Sequence, residues 1–217
     1  MKVFASIVVV VLALGASAAL AQSSGNFNYA SNTTACTDIG GLLGGGPPVT
    51  SLSTTLHVSS GNGIALLVRP SAVTGLLTNL SLSGFYGGGN RTTSAQAAIT
   101  FQVTVTPLSG QAPATVTPGA AVTYDDRFVQ ISTNLFNQLS ECTVASPCTF
   151  DFNETTLSAH SFDYVVTNLS SGNWGITVTW TPSTTATAPS SAAACVGPVM
   201  LTATQTHIFN QSGGISF

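Results

Sequence analysis

Charge is what this chain has least of. Four Lys and Arg stand against seven Asp and Glu, and charged residues make up 5% of the sequence, where soluble domains average about 25%. The single lysine is Lys2, so beyond the N-terminal apolar segment the only strong bases are Arg69, Arg91 and Arg127. Nucleic-acid binding requires clustered basic side chains that displace counterions. The sequence has no such cluster, which removes nucleic acid from the expected partners. Long apolar runs are also missing after the first twenty residues, because Thr, Ser, Asn and Gly interrupt every one of them. A spanning helix needs roughly 20 consecutive apolar residues, so no membrane span is expected. Residues 213–217, Gly-Gly-Ile-Ser-Phe, lack the hydrophobic tail of a lipid-anchor signal.

Catalytic signatures are equally scarce. There is no Gly-x-Ser-x-Gly elbow and no phosphate-binding loop. His57, His160 and His207 lie far apart, without the local spacing typical of metal ligands. The expectation is a protein with no catalytic residue, no cofactor and no bound metal. Asp125-Asp126-Arg127 is the densest charge cluster. It offers a carboxylate pair for glycoside hydrolysis or a calcium site. Adjacent strand residues point to opposite faces, so a charged turn or an internal ion pair with Arg127 is the preferred reading.

What is present begins with an address. Lys2, the apolar run over residues 3–14 and Ala19-Leu20-Ala21 form the n-region, h-region and small-x-small site of a secretory signal. Cleavage after Ala21 is expected, with residues 1–21 as signal peptide and an extracellular, secreted product. Four cysteines behind such a signal read as two disulfides, with three pairings open. Cys142 and Cys148 flank a short turn-like segment ending in Pro147, which favours their pairing and leaves Cys36 with Cys195. Six Asn-x-Ser/Thr sequons occur, at Asn32, Asn79, Asn90, Asn153, Asn168 and Asn210. Some arise by chance in a chain this rich in Ser and Thr. In a eukaryotic source several would carry N-glycans on solvent-facing loops.

The rest is strand pattern. Ile99, Phe101, Val103 and Val105 alternate with Thr100, Gln102, Thr104 and Thr106, and Ile176, Val178 and Trp180 alternate with Thr177, Thr179 and Thr181. Such period-two alternation marks half-buried strands. Weaker strands are expected over residues 53–58, 64–69, 76–82, 121–131, 149–152, 161–168 and 199–209. Ser60-Gly61-Asn62-Gly63 reads as a hairpin turn between the first two of these. Pro107, Pro118, Pro182 and Pro189 sit where strands should stop. Residues 128–139 are the one stretch with a doubtful helical pattern. Eight to ten short strands imply an all-β protein, a single β-sandwich or jelly roll spanning residues 51–217. Residues 22–50, with a Gly/Pro linker over 40–48, read either as an N-terminal extended arm or as a first strand followed by a long loop.

Aromatic residues supply a second functional reading. Trp174, Trp180 and the loop residue Tyr86 are the candidates for a sugar-binding platform. Trp180 shares register with Ile176 and Val178 and is expected in the core, while Trp174 at a turn is expected to be free for exposure. This keeps a secreted carbohydrate-binding or adhesin module, with glycans as ligand, as the alternative function.

Three stretches carry a family likeness. They are Asp126 to Phe136 (DRFVQISTNLF), Thr156 to Phe162 (TLSAHSF) and Val196 to Thr202 (VGPVMLT). Together, over about residues 120–205, they resemble a group of secreted β-domain proteins similar in pattern to extracellular helical-filament subunits joined by donor-strand exchange. That resemblance implies a non-enzymatic structural subunit of an extracellular filament or surface layer. The arm at 22–50 would add a strand to a neighbour's sheet edge, so the implied partner is self, as a homopolymer.

Overall fold

The computed structural model describes residues 26–34, 36, 50–59 and 63–207. The expected signal peptide, the linker over 40–48, the turn residues 60–62 and the sequon at Asn210 lie outside the described residues. Among the described residues ten strands run in chain order: β1 (Phe27–Asn32), β2 (Ser51–Val58), β3 (Ile64–Gly84), β4 (Thr92–Pro107), β5 (Thr115–Thr117), β6 (Val122–Ser132), β7 (Cys148–Ser161), β8 (Tyr164–Thr167), β9 (Gly172–Ala186) and β10 (Ser191–His207). One sheet has the order β1-β10-β3-β8-β5, with β7 also pairing β3, and the other has the order β2-β9-β4-β6. Every pairing is antiparallel. The two sheets face each other as a β-sandwich.

Alternation dictates the core. From β4 the side chains of Ile99, Phe101 and Val103 turn inward, from β9 those of Trp174, Ile176, Val178 and Trp180, and from β3 those of Leu66, Val68 and Leu76. Phe101 stacks on Tyr124 with ring centroids 4.1 Å apart and on Trp180 at 5.8 Å. The two core tyrosines keep their polar ends satisfied. The Tyr164 hydroxyl donates to the Phe101 carbonyl and the Tyr124 hydroxyl to the Pro70 carbonyl, each at 2.8 Å.

Several expectations are corrected by topology. The strands read over 64–69 and 76–82 are one 21-residue strand, β3, that runs through Pro70. Proline lacks the ladder donor, yet it is tolerated because Pro70 falls in a gap. Pairing with β8 ends at Val68, and pairing with β7 begins at Ser71. Arg69 and Asp163 bridge that gap with a two-pronged ion pair at 2.5 and 2.6 Å. The hydrogen-bonded guanidinium holds the Asp163 carboxyl below its ordinary range, although a pair this exposed adds little to stability.

The turn at Ser60 to Gly63 joins no hairpin, because β2 and β3 belong to different sheets. Pro182 lies inside β9 rather than at its end. Pairing of β9 with β2 stops at Thr179, so beyond it that side of β9 is a free edge where proline costs no bond. The doubtful helix divides in two. Residues up to Ser132 finish β6, and Thr133–Gln138 form a 3-10 helix capped by the Ser132 hydroxyl. Phe136 of that helix fills a small second core with Leu82 and Cys142.

The buried tyrosines set an alkaline limit. Burial raises the pKa of both Tyr124 and Tyr164, and for Tyr124 the proximity of Tyr164 adds to it. Unfolded tyrosine ionises near pH 10. Above that pH the unfolded chain binds fewer protons than the folded one, so stability falls as pH rises. The expected slope is up to about 1.4 kcal/mol per pH unit for each tyrosine. Urea melts between pH 9 and 12 would show it, with a shallower slope in Tyr124→Phe.

Candidate assembly site

Among the described strands, β1 alone supplies neither a buried core residue nor a partly buried hydrophobic packed against one. Along β1, Phe27, Tyr29 and Ser31 are exposed, while Asn28, Ala30 and Asn32 face inward and are half-buried. It pairs with β10 from Phe27 opposite Thr204 to Asn32 opposite Val199. No β1 residue belongs to the buried core. Main-chain bonds and polar side chains therefore hold it, rather than apolar burial.

Asparagines supply much of that hold. The Asn26 and Asn28 amides donate to the carbonyls of His57 and Thr55 on β2, each at 2.6 Å, linking β1 to the facing edge of the other sheet. Behind them lies Gln205, only 8% exposed. Its Oε1 accepts from Asn26 Nδ2 at 3.3 Å and from the Ser59 main-chain N–H at 3.1 Å. Its main-chain N–H donates to the Asn26 carbonyl at 2.8 Å. These residues escaped the sequence reading. The alternation Asn26-Phe27-Asn28-Tyr29 was the available signal, with amides on one face and aromatic rings on the other.

A β-bulge anchors the far end. Register in β10 shifts between Val196 and Val199, and Gly197 takes a φ of +143°, which side-chain-bearing residues rarely adopt. The bulge turns the Gly197 carbonyl away from the ladder, where it accepts the Cys36 N–H at 3.1 Å. Cys36 is disulfide-bonded to Cys195, and Cys142 to Cys148. The favoured pairing from sequence is therefore the one formed. Thr143 and Ser146 exchange main-chain bonds inside the short loop. Cys142 is 1% exposed in the second core, whereas Cys36 and Cys195 are half-buried at the margin of the sheet.

The opposite side of the sandwich is closed by charge. Arg127 of β6 donates to the Glu154 carbonyl at 3.1 Å and to the Thr156 hydroxyl at 2.6 Å on β7. Asp125 Oδ2 accepts from the hydroxyls of Thr74 and Ser158, each at 3.0 Å. Asp126 faces the other way and accepts from Gln96. The two carboxylates thus diverge, as strand geometry requires. The expected ion pair within the Asp-Asp-Arg run is not formed; Arg127 lies 3.8 Å from Glu154 instead.

His160 Nε2 lies 2.7 Å from the Ser158 hydroxyl and 3.7 Å from Asp125. A hydrolytic triad places serine and carboxylate at different ring nitrogens. Here both approach Nε2, so the cluster has the geometry of a side-chain tie and not of a proton relay. Inward-pointing charge on edge strands discourages further pairing, and β6 and β7 both carry it.

The remaining candidates are scattered. His57 Nδ1 contacts Asn173 at 3.0 Å, and His207 ends β10. Among the described residues no group of three or more His, Cys, Asp or Glu is arranged to hold a metal. Among the described residues, too, no helix is long and apolar enough to cross a membrane. Trp174 overturns its expectation: it is fully buried, and its Nε1 donates to the Ser170 carbonyl at 3.0 Å. Trp180 is in the core as expected, and Tyr86 is 58% exposed. The sugar platform therefore loses both tryptophans.

The sequons at Asn90, Asn153 and Asn168 are exposed, while those at Asn32 and Asn79 are half-buried. Asn79 and Asn153 lie directly opposite each other on β3 and β7. No protein-family model matches the chain, and no curated protein matches it in sequence.

Proposed function

We propose that this protein is a non-enzymatic structural subunit of an extracellular filament or surface layer, assembling by strand addition from its N-terminal segment. The observation that carries the reading is the nature of β1. It completes the sheet beside β10 through main-chain pairing, yet contributes nothing to the buried core. Such a strand can come from a neighbouring copy without unmaking any apolar packing.

The other edges are poor recipients. The charged side chains of Asp125, Arg127 and Glu154 block β6 and β7, and β5 is three residues long. Carbonyls on β2 are already capped by Asn26 and Asn28. The free side of β9 beyond Thr179 is interrupted by Pro182, which has no N–H to donate, and the β10 edge is the recipient. The thirteen residues 37–49 limit the reach of β1 beyond its own copy to at most about 45 Å. Exchange of an identical element along an open head-to-tail chain yields a fibre. A surface with few charges offers little repulsion between copies.

Negative-stain electron microscopy of the native protein tests the reading, with filaments expected. Main-chain bonding alternates along β1, and the Asn26 carbonyl receives the Gln205 N–H. Ala30, opposite Leu201, is thus among the residues whose N–H faces β10. Ala30→Pro removes that donor and is expected to abolish filaments, while circular dichroism and the thermal transition of the sandwich persist. Monodisperse particles from the native protein at every concentration would overturn the proposal.

A further inference from the structure

The disulfide next to β1 has a consequence for any assembly in which that strand is exchanged. Cys36 follows β1 closely, and its N–H is held by the Gly197 carbonyl on the same strand that β1 pairs with. Its partner, Cys195, sits just before the bulge on β10. Both contacts of Cys36 are thus to the β10 whose edge β1 occupies. Whichever copy owns that β10 must also own the cysteine that Cys36 meets. We infer that the Cys36–Cys195 bond is the covalent lock of the assembly: in a strand-exchanged polymer it joins Cys36 of one copy to Cys195 of the next. This inference rests on the proposed strand addition.

The chemistry needs no net oxidant. A thiolate from a small thiol or a thiol–disulfide exchange catalyst attacks the Cys195 sulfur of the closed subunit, and the Cys36 thiolate leaves. The mixed disulfide at Cys195 then receives the Cys36 thiolate of an incoming copy, and the attacking thiol departs. Each internal bond broken is replaced by one between copies. The two chain ends keep one mixed disulfide and one free thiol.

Exposure separates the two disulfides for this role. Cys36 and Cys195 are both half-buried at the sheet margin; in the second bond Cys148 is half-buried too, but Cys142 is 1% exposed and packed against Leu82 and Phe136. Only in the first pair are both cysteines partly exposed to an attacking thiolate. The second, whose ends are 6 positions apart along the chain, stays within one subunit.

The test uses filaments grown from an equal mixture of unlabelled and nitrogen-15-labelled full-length protein. After denaturation and digestion without reductant, half of the Cys36–Cys195 cross-linked peptides are expected to pair a light with a heavy half. The Cys142–Cys148 peptides should show no such pairing. Non-reducing gel electrophoresis is expected to give a ladder that collapses to monomer with dithiothreitol, and the ladder should vanish in Cys36→Ser. Filaments whose Cys36–Cys195 peptides are all light–light or heavy–heavy would overturn the inference and leave strand addition standing. Failure to form filaments at all would overturn strand addition itself.

Discussion

Trp174→Ala is expected to lower the unfolding free energy by about 3–5 kcal/mol, the range for truncating a fully buried tryptophan. Trp174 is the largest fully buried side chain of the described residues. It sits on β9 between Leu56 of β2 and Pro107 of β4. Its removal leaves a cavity between the sheets and a Ser170 carbonyl without its 3.0 Å donor. Tyr86→Ala, at an exposed loop position, should change stability by no more than about 0.5 kcal/mol. Guanidinium melts followed by circular dichroism compare the two. Equal effects, or native Trp174 fluorescence quenched freely by iodide, would contradict the buried placement. The same contrast bears on the sugar-binding alternative, since any loss of binding in Trp174→Ala would follow loss of fold.

Removing the two disulfides is expected to have unequal effects on the isolated subunit. Cys36 and Cys195 are 159 positions apart, whereas Cys142 and Cys148 are 6 apart. Chain-entropy arguments assign about 5 kcal/mol to closing the long loop and about 2 kcal/mol to the short one. The long-loop value is an upper figure, because β1 brings no core to hold its end in place once the bond is gone. The double variant Cys36→Ser/Cys195→Ser should therefore lose about 2–5 kcal/mol, and more than Cys142→Ala/Cys148→Ala loses. Equilibrium unfolding of both variants as monomers decides it, and the reverse order would sink the argument. Hydrogen exchange at Asn28 and Ala30 should accelerate in the first variant alone.

How much of this was legible beforehand differs by scale. Inward and outward residues of β4 and β9 were readable, because a strand's side chains alternate whatever it pairs with. The favoured disulfide partners followed from chain spacing. Strand length was not readable: Pro70 and Pro182 look like stops, yet each falls where its N–H would have met no partner. Trp174 was misjudged because its neighbours Asn173 and Gly175 signal a turn, while the pairing of β9 with both β2 and β4 buries it. The candidate assembly site was legible only as a distinct N-terminal segment. Its working parts, the Asn26 and Asn28 clamp and the bulge at Gly197, depend on strands far away in the chain.

Charge, the scarcest property of the chain, shows the same division. Composition by itself excluded a basic binding surface and, through alternation and paired cysteines, determined an all-β sandwich with two disulfides. Only the tertiary structure decided that Asp125, Arg127 and Glu154 gather at one side of the sandwich, while uncharged asparagines line the other. The reason is physical. Side-chain alternation is a local property written into each strand, whereas main-chain pairing accepts almost any sequence. Which edges meet, and which one is left to a strand without a core, is set by how the whole sandwich closes.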